Sequence, residues 1–503
     1  MKKLLITSLA LFASLMACAQ NIVVSVAAKS PAVLYKNFSE IVNQLPPNAV
    51  QAKMMAAMAF AAIGAPNFDG VDPNANMGFC IFDDESTLFV LNASDNAMLC
   101  QMAADPSKVK RSGNWVVFSD NAASENSDEK AKLAIETVQK AIDADVVAKI
   151  YPDKFDKMLP QDAPENLRAL LKDEIELIFY KFNLNTSKVE MNFQVSAKSG
   201  SLSEKVLKSL RKADEIPEAK FVSKDHYVTI LSSLISTKET LAATSELLEK
   251  YFKLEKSQLE ILQKLPSDTG TGAGYVDMNI DMNMGDDASF ASFSKSPMTI
   301  DEYLDYANLA SNLASDIIKA IVPEGVEISP TPMQISDKSE CEIDSVKVAS
   351  FKQEQSKTYI TSVNGIFIAT SSDSISEAGD EGDNGKQLIS EAIKIVKGKK
   401  TVENPLPSKI DDDLIVTLNL SKLNIEHYKV VEEVFADFAP IVFKGNLDGA
   451  NFSLKAEVPT SSIVNAAAKG FEIQAREMQE QMQVKQVPVQ QGEGEEAEAP
   501  QQK

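Results

Sequence analysis

Histidine, tryptophan and cysteine are scarce: two, one and four residues in a chain of 503. With His226 and His427 as the whole histidine supply and no C-x-x-C pair, the usual ligand sets of structural and catalytic zinc are missing. A Ser-His-Asp triad would have to use one of those two histidines, and no G-x-S-x-G elbow accompanies them. No G-x-x-x-x-G-K-S/T loop occurs either. Gly270-Thr271-Gly272-Ala273-Gly274 is glycine-rich, but a strand pattern follows where a bound anion needs a helix N-terminus. Ser94-Asp95-Asn96 and Ser119-Asp120-Asn121 repeat the S-D-N triplet of penicillin-recognising enzymes, and Ser127 and Lys130 have S-x-x-K spacing. The order is inverted and K-T-G is missing, so Ser127 reads better as a helix cap.

Positive charge is also in deficit. Lys and Arg number 50 against 72 Asp and Glu, a net charge of −22, which repels nucleic-acid backbones and anionic lipid. The acidity reads first as a solvated surface. Beyond Cys18, the thiols are Cys80, Cys100 and Cys341, so at least one stays unpaired within a monomer; Cys80 and Cys100 are either a pair or two small buried apolar residues. No cofactor is expected.

What is present begins with an export signal. Lys2 and Lys3 precede the apolar run Leu4 to Ala13, too short to span a bilayer, and small residues follow. Two processing routes fit. Ala17-Cys18-Ala19 permits cleavage before Gln20, whereas Leu15-Met16-Ala17-Cys18 resembles a lipobox that would make Cys18 a lipidated first residue. The expected location is the periplasm or the exterior, or the outer membrane if Cys18 is acylated, with membrane contact only through that lipid.

Apolar periodicity predicts a strand over 21–27, helices over 30–45 and 49–63, and strands over 77–83, 87–92 and 114–119. A weak internal repeat follows. Asp145 to Ile150 is a strand, a mostly helical stretch runs to about Phe179, and Val189 to Val195 is a second strand; Asp413 to Leu418, Ile425 to Phe438 and Asn451 to Ala456 return in the same order. Asn183-Leu184 and Asn446-Leu447 stand at like places before the closing strands. Tyr275 to Met284 opens a third candidate copy, with a long helix over 300–322 and strands over 339–351 and 358–370, the last interrupted by a type I′ turn at Asn364-Gly365. A helix over 238–265 would brace the modules, and the Gln- and Glu-rich end is expected to be disordered.

These elements predict an α+β protein of two or three related modules, each an antiparallel sheet with a long helix packed on one face. The expected divisions are a signal peptide (1–19), α+β modules (20–143 and 144–237), a bridging helix and linker (238–274), a third module (275–400), a strand-helix-strand module (401–470) and a helical end with its tail (471–503). Two acidic groups could take a cation. Asp380, Asn384, Gly385 and Glu391 stand at positions 1, 5, 6 and 12 of a calcium loop, though Gly382 occupies position 3. Asp277, Asn279, Asp281 and Asn283 share one face of a strand, opposite Met278, Ile280, Met282 and Met284.

The exported N-terminus, the opening Val23-Val24-Ser25-Val26 strand, the Gly70-Val71-Asp72-Pro73 turn and the strand-helix-strand units together resemble large secreted or lipid-anchored envelope proteins of Gram-negative bacteria that share a domain of unknown function. The resemblance rests on layout and carries over no catalytic residue. The expectation is therefore a non-enzymatic envelope protein that binds a partner protein or an apolar ligand on a sheet face or between sheet and helix. The alternative is a hydrolase of an envelope or extracellular polymer working through a carboxylate pair.

Overall fold

The computed structural model describes residues 22–47, 63–95, 109–119, 127–140, 142–157, 165–253, 270–281, 285–296, 298–306, 335–353, 356–372, 384–426 and 429–484, with a few isolated residues between them. The expected export segment with Cys18, most of the helix expected over 300–322, Asp380, His427 and the chain end from 485 all lie outside these residues.

The N-terminal run of elements is β1 (Ile22–Ala28), α1 (Pro31–Val42), β2 (Met77–Phe82), β3 (Thr87–Asn92), β4 (Val109–Ser112), β5 (Trp115–Ser119), α2 (Ser127–Gln139), β6 (Val146–Ile150), α3 (Glu165–Glu174), β7 (Ile175–Leu184), β8 (Lys188–Ala197) and α4 (Leu202–Ser209). A small ribbon pairs β9 (Arg211–Lys212) with the later β11 (Leu234–Ile235). The C-terminal run is β10 (Val228–Ser232), then β11, α5 (Lys238–Phe252), β12 (Gly272–Asp281), β13 (Gly285–Lys295), β14 (Ile335–Ile343), β15 (Val346–Gln353), β16 (Ser356–Val363), β17 (Ile366–Ser372), α6 (Asn384–Val396), β18 (Leu414–Leu418), β19 (Asn424–Glu426), α7 (Lys429–Phe435), β20 (Ile441–Asp448), β21 (Asn451–Pro459) and α8 (Thr460–Val484). Among the described residues no helix is long and apolar enough to cross a membrane.

The described chain is thus α+β, with nineteen strands in one sheet. The pairings run β4, β5, β3, β2, β1, β6, β7, β8, then β21, β20, β18, β10, β12, β13, β17, β16, β15 and β14, every neighbour antiparallel. The short β19 adds a parallel pairing at the end of β12. At the centre, β8 meets β21 with Val189 opposite Val458, Asn192 opposite Lys455 and Val195 opposite Phe452. Strands from all four expected modules therefore join one sheet, and β10 sits between β12 and β18.

Why Asp145 and Asp413 open similar stretches is visible in their hydrogen bonds. The Leu184 amide donates to Asp145 Oδ2 at 2.8 Å and the Leu447 amide to Asp413 Oδ2 at 2.6 Å, so each carboxylate ties the start of one strand to the end of its neighbour. Their carbonyls accept from Lys29 N–H (2.8 Å) and Ser233 N–H (3.0 Å), just past β1 and β10. A capped helix follows each of those strands: Ser30 caps α1 with Pro31 in its first turn, and Thr237 forms a reciprocal cap with Thr240 on α5.

Several expectations are corrected. The helical reading to Phe179 stops at Glu174, where α3 passes directly into β7; no Gly or Pro marks the join, and the aromatic and β-branched run Ile178-Phe179-Tyr180 takes the extended form. The helix expected over 425–438 is reduced to α7, preceded by β19. Each closing strand is the second arm of a hairpin whose first arm, β7 or β20, fills part of the interval read as helix or left unassigned. The helix expected over 238–265 is interrupted after Phe252, where Lys253 takes a left-handed conformation (φ 52°); most of 254–265 lies outside the described residues. Asn364 and Gly365 both have positive φ, as a type I′ turn requires, and join β16 to β17. Among the described residues the three thiols are free; Cys80 and Cys100 belong to different clusters, on opposite faces of the sheet.

The two ends of the sheet are packed by helices on one common face. Ala131, Ala134, Ile135 and Val138 of α2 cover Cys80, Phe82, Leu88, Val90 and Val117. On the same face, Ile389, Ala392 and Ile393 of α6 cover Ala273, Ala291, Phe293 and Ile368. Burial in the first of these cores pushes the Cys80 thiol up to about 12.

Candidate functional site

Two surfaces stand out, and they lie on opposite faces of the sheet. The first is an open cleft of about 460 Å³ beside the N-terminal half of α6. The sheet contributes Asp277 of β12, Ser289 of β13 and Ser372 of β17, and the helix contributes Asn384, Gln387 and Glu391. Asp225 and Lys422 close it from the neighbouring loops. The sequence candidates Asp277, Asn384 and Glu391, from two unrelated patterns, thus meet in one place.

They do not meet as a calcium loop. Asn384 and Gly385 already belong to α6, and Gly385 is packed against Tyr359 rather than making a tight turn. Among the described residues no group of three His, Cys, Asp or Glu could hold a metal ion. Asp281 lies at the far end of β12, where it pairs with Gly285 and Glu426.

Asp277 is held firmly. His226 Nδ1 lies 2.8 Å from one carboxylate oxygen and the Tyr227 amide donates to the other at 3.0 Å. Burial opposes ionisation, but those bonds win and hold the Asp277 carboxyl below the usual carboxylate range. The His226 ring stacks on Tyr275 at 3.5 Å between centroids, and burial pushes the Tyr275 hydroxyl up. Asp225 accepts from Asn404 at 3.1 Å and from Ser223 at 3.2 Å, which holds its carboxyl down. His226 had only its place before a strand to recommend it; its partnership with Asp277 spans 51 residues and left no local sequence signal. The glycine-rich stretch leads into β12 at Gly272, where Gly274 lets the Ala291 carbonyl approach, so a strand and not a helix N-terminus follows it.

The second surface is the other face of the central strands. Because paired residues in an antiparallel ladder point the same way, the register fixes who shares this face. Val24 aligns with Ile150, Ile150 with Ile178, Ile178 with Val195, and Val195 with Phe452. One pleat on, Tyr180 aligns with Phe193 and Phe193 with Leu454; a pleat further, Phe182 aligns with Met191 and Met191 with Ala456, and Phe443, Val416 and Ile230 continue that row beyond β21. The same strands turn Lys149, Lys181, Glu190, Asn192, Gln194, Lys455 and Glu457 to the opposite side, where Lys188 and Lys455 bridge Glu190 and Glu457 at 2.6–3.4 Å.

Among the described residues this apolar face is only partly closed over. Phe193 is 38% exposed, Ile230 39% and Phe290 36%. Ile150, Ile178, Tyr180, Phe182, Met191, Val195, Phe443, Leu454 and Val416 are only half-buried. Towards the ends of the sheet the face is covered: residues around Phe60 and Phe68 pack on Leu91 and Val116, and Leu304 packs on Ala349, Ile360 and Phe367. Among the described residues, an apolar strip that is only partly covered therefore crosses about the middle ten strands. It can hold apolar surface by excluding water.

Comparison of the chain with protein-family models, with curated proteins and with solved structures finds no match.

Proposed function

We propose that the protein is exported to the cell envelope and binds an apolar ligand along the open face of its central strands. The observation that carries this reading is the exposure of Phe193, Ile230 and Phe290 within a continuous half-buried apolar field. A contiguous patch of this kind is costly to leave in water, and on a highly charged, acidic chain it reads as a site rather than as a solubility compromise. The uncharged strip also suits a ligand body without charge, since burying an unpaired charge there would be costly.

The architecture behind the site is, in the same reading, two copies of one module. The run from β1 to β8 and the run from β10 to β21 pair their strands in corresponding ways, and the Asp145 and Asp413 bonds correspond too. Each copy carries a helix on the face away from the strip, α2 in one and α6 in the other. The antiparallel seam of β8 and β21 then joins two half-strips into one.

Replacing Phe193 and Ile230 together by aspartate tests the site. Both side chains are exposed, so the fold should survive, with unchanged far-ultraviolet circular dichroism. Affinity for an environment-sensitive probe bearing a long alkyl chain should fall by at least about tenfold, because two buried contacts of roughly 1 kcal/mol each are exchanged for carboxylates. Equal affinity in parent and variant would refute the assignment.

Export has its own test in Cys18→Ser. Simple secretion predicts processing before Gln20 and an unchanged envelope location, whereas acylation predicts blocked processing or release from the membrane. Unprocessed parent protein in the cytoplasm would refute export.

A further inference from the structure

We propose that the polar cleft between the sheet and α6 is a saccharide site, selective for neutral or amine-bearing sugars, and separate from the apolar strip. The walls carry complementary chemistry. On the sheet side stand the Asp277 carboxylate and the hydroxyl-bearing Ser289 and Ser372; on the helix side stand the Asn384 and Gln387 amides and the Glu391 carboxylate. Planar amides and carboxylates offer paired donor and acceptor positions to adjacent sugar hydroxyls, and ionised acceptors make the stronger bonds. The volume of about 460 Å³ lies within the range of small-ligand sites and suits a short oligosaccharide. Met278 and Leu388 add a limited apolar contribution, as the C–H face of a sugar ring requires.

Charge narrows the ligand. Asp225, Asp277 and Glu391 stand against Lys422 in the lining; Lys400 bridges Glu391 at 2.9 Å and His226 lies 2.8 Å from Asp277, so the carboxylates still outnumber the lysines by one, which disfavours a phosphate or uronate and favours an ammonium group. The corresponding helix of the N-terminal run shows that an open cleft is not an automatic product of this packing. There Lys130 in the first turn of α2, only 10% exposed, is paired with Asp84 and reaches Ser86 Oγ at 3.4 Å, filling the space above the strand end. In α6 the equivalent turn presents Asn384 and Gln387 to the cleft instead.

Calorimetry on the whole mature protein, with trimers of glucosamine and of N-acetylglucosamine, with glucuronate and with spermidine as probes, tests this. The glucosamine trimer should bind most tightly, the acetylated trimer more weakly, and glucuronate not at all. Gln387→Ala should weaken both trimers by roughly tenfold, the loss of a hydrogen-bonding group, whereas Glu391→Gln should abolish the preference for the amine. Gln387 and Glu391 are exposed, so neither change threatens folding. Absence of binding by either trimer, trimer binding that survives both substitutions, or spermidine binding as tightly as the glucosamine trimer would overturn the proposal.

Discussion

Adding one methyl group at Gly78 is expected to destabilise the protein by about 3 kcal/mol or more. Gly78 lies in β2 between Ala27 of β1 and Val90 of β3. A Cβ built there would stand 2.1 Å from the Val26 carbonyl oxygen and 3.0 Å from the Ala27 Cα. Both obstacles are backbone, so no rotamer change relieves the clash; β1 must separate from β2, and β1 also holds β6 through five paired residues. Gly470→Ala is the matched control, since nothing stands within 4 Å of its Cβ position and it is a helical residue. That substitution should stabilise slightly, by up to about 1 kcal/mol. Urea titration of the two variants checks the contrast, and a Gly78→Ala midpoint equal to that of the parent would contradict the strand packing described here.

The second large effect is expected at Glu218, in the short 3-10 turn Pro217–Phe221 that follows β9. Its side chain is 0% exposed, neither carboxylate oxygen has a hydrogen-bond partner, and its neighbours Ile216, Ala219 and Val222 belong to the core beneath α6. Burial pushes the carboxyl up; its own amide and the Thr271 side chain, which approach it without completing a well-formed hydrogen bond, and then the charges of Lys295 and Lys220 offset this only in part. The folded state therefore favours the protonated acid. Its contribution to stability is fully present below the ordinary glutamate range and is lost as pH rises through the folded-state value. Glu218→Gln should flatten that part of the stability profile. Glu218→Leu should raise stability at neutral pH by about 1 to 3 kcal/mol, because an unsatisfied buried polar group is replaced by apolar contact. A parent profile that rises steadily from pH 4.5 to 8, with no gain from leucine at pH 7.5, would contradict this account.

Local patterns carried much of the fold. β1, β2, β3 and β5 are short runs of apolar and β-branched residues bounded by turn residues, and the Asn364-Gly365 turn announces its own hairpin. The recurrence of Asp145 with Asn183-Leu184 and of Asp413 with Asn446-Leu447 was legible because a carboxylate tying two strand ends leaves a fixed sequence signature. What stayed hidden lacks such a signature. β7 leaves α3 without punctuation, and the pairing of β8 with β21 joins residues more than 250 positions apart. Asp448-Gly449 was a hairpin signal that would have revealed β20 as the partner of β21.

The candidate sites divide in the same way. Asp277, Asn384 and Glu391 were picked out by oxygen-ligand spacing, yet the property they share is a cleft created by helix packing, which spacing does not encode. The apolar strip was legible strand by strand as alternation. Which face would be covered depended on where α2 and α6 settle, and that is tertiary information.

The proposed apolar site is most directly tested by photo-crosslinking the mature protein with a diazirine-bearing alkyl-chain probe and mapping the adducts by mass spectrometry. The account predicts adducts concentrated on Ile178, Tyr180, Met191, Phe193 and Leu454, and their suppression by excess unlabelled alkyl-chain competitor. Adducts confined to the α2 and α6 side of the sheet, or labelling that the competitor leaves unchanged, would contradict it.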